Sequence, residues 1–125
     1  MIRRYQMELK KFKILGKEIE FVNQYRNTRM GFAHDTTLFV NGSQYGTATC
    51  TYYNRTWECY TYQTVMLRVV EELRECRRKW LLSEFKAEHG YQKMTDKRTA
   101  EFKEIFDKDE EVKLYRKITE KLNRR

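Results

Sequence analysis

The chain has 125 residues, 40% hydrophobic and 35% charged, with a formal net charge of +8. That length and composition describe one ordered, rather polar domain able to bury a core without metals or disulfides, and the absence of proline favours long helices and uninterrupted strands. No window reaches the apolar length of a membrane span, and the opening MIRRYQMELKKFK has no apolar run of signal-peptide length, so the expected location is cytoplasmic, with Cys50, Cys59 and Cys76 as reduced thiols.

Charge is unevenly distributed. Residues 1–17 are net +5, residues 18–61 net −1, residues 62–90 net +1 and residues 91–125 net +3. Basic termini around a neutral middle suit a polyanion or an acidic protein partner. From residue 62 onward acids and bases interleave at helical spacing, which is the pattern of a solvated, ion-paired surface.

Residues 1–17 read as a basic N-terminal segment. EIEFVNQYRN (18–27) alternates as a strand does, with Ile19, Phe21, Asn23 and Tyr25 on one side and Glu18, Glu20 and Val22 on the other. Gly31 interrupts it, and FAHDTTLFV (32–40) is a second strand rich in β-branched and aromatic residues. Asn41-Gly42 is a strong hairpin signal; it pairs Val40 with Ser43 and Leu38 with Tyr45. A third strand runs from Ser43 to Tyr53, and a turn at Asn54-Arg55 returns the chain through TWECY. That register puts Ala48, Cys50, Tyr52, Trp57 and Cys59 on a core face. Tyr45, Thr47, Thr49, Tyr53 and Tyr60 then share an open Thr/Tyr face.

Thr61 is the expected N-cap of a long helix whose apolar stripe is Val65, Met66, Val69, Val70, Leu73, Cys76, Trp80, Leu81 and Phe85. Gly90 stops it. Thr95 or Asp96 caps a second helix, DKDEE (107–111) interrupts or bends it, and Val112, Tyr115, Ile118 and Leu122 line a last one. The expected class is α+β: a three- to four-stranded antiparallel meander packed by one long helix, with a helical C-terminal arm. Residues 1–90 form the α+β domain and residues 91–125 the helical extension.

Catalytic signatures are missing from the sequence: no Gly-rich phosphate loop, no GxSxG, no HExxH. His34-Asp35 is the only His–carboxylate neighbour pair, and adjacent strand residues point to opposite faces, so no enzyme activity and no cofactor are expected. Cys50, Cys59 and Cys76 are the candidate metal ligands, since cross-strand and helix-stripe positions can bring three thiols together, but their spacing matches no short CxxC knuckle. Reduced cysteines often simply fill space. For binding, the candidates are Arg3, Arg4, Lys10, Lys11, Arg26, Arg29 and Arg55, which can meet an acidic surface or phosphates. Tyr45, Tyr53 and Tyr60 join them, since tyrosine buries much area at little entropic cost and can stack on bases. The helices could equally support a homodimer.

YYNRTWECYTYQTVM (52–66), with the upstream GFAHDTTLFVNG (31–42), resembles small proteins of unassigned role encoded on phages and mobile elements of Gram-positive bacteria. Asn54, Arg55, Thr56, Trp57, Glu58, Tyr60, Gln63, Thr64 and Met66 carry the likeness, which runs from residue 18 to the start of the long helix. It implies an accessory protein acting inside a bacterial host cell. Its implied role is to bind and block a host defence nuclease, such as a CRISPR effector, as anti-CRISPR proteins do. The resemblance carries no catalytic residues. Many anti-CRISPR proteins are acidic nucleic-acid mimics, whereas this chain is basic and would have to grip an acidic protein surface or the nucleic acid that the nuclease holds. The alternative expectation is a nucleic-acid-binding accessory protein that uses the basic termini and the Thr/Tyr face.

Overall fold

The computed structural model of the protein describes residues 6–28, 31–51, 61–90 and 93–124. Strands β1 (Gln6–Ile14), β2 (Lys17–Thr28), β3 (Gly31–Val40) and β4 (Ser43–Thr51) form one antiparallel sheet in that spatial order. Helices α1 (Tyr62–Glu88), α2 (Asp96–Lys108) and α3 (Glu110–Asn123) follow. The meander is therefore present, but it starts one hairpin earlier than expected: Gln6–Ile14, read from sequence as a basic segment, is an edge strand. The returning TWECY strand lies outside the described residues.

Two-residue turns set the register. Leu15 and Gly16 have φ of 52° and 75°, and Asn41 and Gly42 have 51° and 82°. Two consecutive left-handed residues match the right-handed twist of the strands they join, as in a type I′ hairpin. The Asn41 side chain accepts from the Glu18 N–H at 2.9 Å, and the Asn41 N–H donates to the Glu18 carbonyl at 2.8 Å, so the second turn is tied to the start of β2.

Ile19 and Phe21 of β2, Leu38 and Val40 of β3 and Ala48 of β4 form the sheet side of the main core. Met66, Val69 and Val70 of α1 and Leu114, Tyr115, Ile118 and Leu122 of α3 meet them. The stripe on the last helix thus packs on both the sheet and α1. The two helices run antiparallel: Gln63 donates to the Leu122 carbonyl at one end, and Arg77 binds Asp109 at the other. A second cluster, Leu81, Phe85, Phe102 and Val112, joins the far half of α1 to α2 and the start of α3.

That change of partner explains two departures from the expected α1 stripe. Cys76 is exposed and Trp80 is 53% exposed. Both continue the sheet-facing line of Val65 and Val69 at helical spacing. Leu81 and Phe85 instead turn the buried face toward α2. Trp80 is covered in part by the Arg77 guanidinium, 4.6 Å from its ring centre.

Caps end the helices where the sequence suggests. Thr61 accepts from the Thr64 N–H at 3.1 Å, Thr95 from the Arg98 N–H at 3.2 Å, and Gly90 follows α1 with φ 70°. Within DKDEE, Asp109 is both the C-cap of α2 and the N-cap of α3.

Candidate functional site

Strand alternation divides the sheet into a helix-covered face and an open face. On the open face the register sets Lys11 opposite Glu20 and Lys13 opposite Glu18, then Thr37 opposite Thr47 and Asp35 opposite Thr49. Lys11 Nζ lies 2.8 Å from Glu18, and that contact raises the lysine and lowers the carboxyl from their ordinary values. Burial, followed by a hydrogen bond with Glu8, pushes the Glu20 carboxyl up. The Thr37 and Thr47 hydroxyls are 2.8 Å apart, and Thr49 donates to Asp35. Among the described residues no helix covers this face; its charge is mixed, Val22 and Phe39 stand half-buried among the polar side chains, and Ala33 is buried.

The expected binding residues scatter. Lys10 and Lys11 stand on β1, and Arg26 stands on β2 opposite Ala33. Arg3, Arg4, Arg29, Tyr53, Arg55 and Tyr60 lie outside the described residues, as does Cys59. Tyr45 requires a correction. Leu38 pairs with Gly46 rather than with Tyr45, and Phe39 pairs with Gln44, so Tyr45 is the extra residue of a β-bulge. The bulge turns its ring away from the threonines, and it packs half-buried against the main core. Gly46, next to it, lies close to α1: a Cβ there would sit 2.6 Å from Leu73 Cδ2, so any larger residue requires the Leu73 side chain to shift.

Among the described residues, no three His, Cys, Asp or Glu side chains are grouped as metal ligands. Cys50 is on β4 opposite His34, whereas Cys76 lies exposed on α1 and not on the buried stripe where it was expected to join the other thiols. Cys76 instead lines a recess of 350 Å³ with Gln44, Tyr45, Leu73, Arg77, Glu111 and Tyr115. Burial holds the Tyr115 phenol well above its ordinary pKa, with Glu111 adding to the effect. Arg77 does not face the recess as an uncommitted cation: Asp109 takes its guanidinium at 2.9 and 3.0 Å, and the same contact lowers the Asp109 carboxyl.

Sequence reasoning missed a polar cluster inside the covered face. Asn23, His34 and Thr36 are at most 1% exposed. Asn23 Oδ1 accepts from Thr36 Oγ1 at 3.0 Å and from His34 Nδ1 at 2.8 Å, which places the ring proton on Nδ1. Asn23 Nδ2 has no partner among the described residues. Burial lowers the His34 pKa, against an opposing effect of Asp35, so the ring is neutral at pH 7. The Tyr25 ring lies 5.7 Å from the His34 ring, and its hydroxyl shares a hydrogen bond with Tyr62. His34 and Asp35 point to opposite faces, as strand geometry requires, and form no catalytic dyad with each other. The signal for this cluster was in the sequence: Asn23 and His34 occupy core-face positions of two strands.

The chain is thus an α+β protein with a four-stranded meander covered on one side by α1 and α3, with α2 packed on those helices. Compared with known protein families, curated proteins and solved structures, it matches none. Among the described residues no helix is long and apolar enough to cross a membrane.

Proposed function

We propose that this protein acts by stoichiometric binding, as a phage or mobile-element inhibitor of a host defence nuclease, with a CRISPR effector as the leading target. The observation that carries the reading is the open sheet face. It offers threonine hydroxyls and carboxylates interleaved with lysines, a composition that suits a protein surface better than a polyanion. With Tyr45 turned toward the core, the described part of this face presents no exposed tyrosine for stacking bases. The resemblance at residues 52–66 points to the same kind of gene. The nucleic-acid reading keeps one supporting feature, the net +5 of residues 1–17.

The test is affinity purification of the tagged protein from a bacterial host carrying CRISPR systems, with and without nuclease treatment. The expected result is a large effector retained after nuclease treatment and lost with Thr47→Arg, followed by inhibition of target cleavage at a one-to-one ratio. A capture that collapses under nuclease treatment would instead establish nucleic acid as the ligand. Retention unaffected by Thr47→Arg would remove the open face from the account.

A further inference from the structure

We infer that the outer edge of β1 is a docking site for an extended acidic segment of a partner protein, added to the sheet as a fifth strand. This inference concerns a different surface from the open face and does not depend on the nuclease reading. Among the described residues β1 pairs only with β2, and no strand meets its outer edge. Such an edge presents a row of backbone N–H and C=O groups ready to pair.

Three features define what fits. First, a β-bulge between Glu8 and Lys10 disturbs the start of the strand, which leaves Lys10–Ile14 as the regular stretch. Second, Phe12 and Ile14 face the helices and are half-buried at the rim of the main core, so each has apolar surface that a neighbouring strand would cover. Third, Lys11 and Lys13 alternate with them on the open face. Lys11 has Glu18 at contact distance, while Lys13 interacts with Glu18 only through longer-range attraction. Among the described residues Lys13 has no carboxylate within ion-pair distance, while Lys10, opposite Phe21, stands on the covered face with Phe12 and Ile14. The complement is a strand that alternates acidic residues toward the lysines with apolar residues toward Phe12 and Ile14.

The same lysines argue against a second copy of this chain as the occupant. Two β1 edges brought together would oppose two positively charged strands, and like charges across a strand pair are destabilising. Lysines on an edge commonly serve to block pairing. Here they would select for acidic partners rather than exclude all of them.

The test uses the full chain, isotopically labelled for NMR, and a short capped peptide alternating glutamate and valine. The expected result is shift changes and slowed amide exchange confined to Lys10–Ile14, weakening as salt is raised. Lys13→Glu should weaken binding by about tenfold, while thermal unfolding confirms that the variant folds. A lysine–valine peptide that binds as well would overturn the proposal, as would shifts elsewhere or none. A single-stranded oligonucleotide that shifts the same residues without slowing amide exchange, while the peptide does not bind, would also overturn it and mark the edge as a phosphate-binding strip.

Discussion

The two faces of the sheet come from the same strands, one residue out of step, and they behave as different materials. On the covered face, Ile19, Phe21 and Leu38 are completely buried against α1 and α3. On the open face, Lys11, Glu18, Thr37 and Thr47 pair with one another and leave the surface wet. Stability is therefore concentrated on one side and recognition is available on the other. Exposed side chains of the open face, such as Lys11 and Thr47, can change with little cost to folding, because water already solvates them, whereas Ala33 on the same face is 1% exposed.

Substitutions on the two faces should differ accordingly. Phe21→Ala opens a cavity under two helices and should cost about 3–5 kcal/mol in urea unfolding. Gly46→Ala, where β4 meets α1, forces Leu73 aside and should cost about 1–3 kcal/mol. A cost near zero would mean that Leu73 moves easily and that the close approach is not needed. Asp109→Ala removes both the α3 cap and the Arg77 partner, for about 1–2 kcal/mol. Asp109→Asn keeps the cap and should cost less.

A smaller effect is expected with pH. Burial lowers the folded-state pKa of His34, so as pH falls below its ordinary value of 6.5 the unfolded chain binds a proton that the folded chain resists. The His34 contribution to stability is present above that value and is lost as pH drops toward the lowered one. The urea midpoint should fall across this window, and His34→Gln should flatten the fall. Acid loss from Asp109, whose folded pKa lies below its ordinary 3.8, comes at lower pH and is separable. Smallest of all, Thr47→Ala on the open face should change stability by no more than about 0.5 kcal/mol. A large loss there would mean that the open face is structural.

Much of the fold was legible because it is local chemistry. Asn41-Gly42 has the backbone freedom for a tight hairpin, Thr61 and Thr95 have hydroxyls that cap, and the stripe Val112, Tyr115, Ile118 and Leu122 marks the buried side of α3. β1 was also readable in principle. Around Leu15-Gly16, Lys13 meets Glu18, Phe12 meets Ile19 and Lys11 meets Glu20, so charge complements charge and apolar meets apolar. Leu-Gly is a weak turn signal, however, and the bulge between Glu8 and Lys10 breaks the alternation of the strand. Of the candidate site, Thr47 and Thr49 stand on the open face as their alternation implies, Lys11 stands there on a strand that the sequence reading did not expect, and Tyr45 does not.

Periodicity, turn chemistry and capping, all properties of neighbouring residues, determined by themselves the class of fold, most of the element boundaries, the apolar face of α3 and that of the first half of α1. The tertiary structure alone decided the rest. The bulge that turns Tyr45 inward stands beside Gly46, where β4 closely approaches Leu73 of α1, a contact between residues distant in sequence. The exposure of Cys76 and Trp80 depends on α1 exchanging the sheet for α2 as its partner. Asn23 and His34 become a buried pair only when β2 and β3 align under the helices. A repeating pattern shows that a residue faces inward, but only packing determines what it meets there.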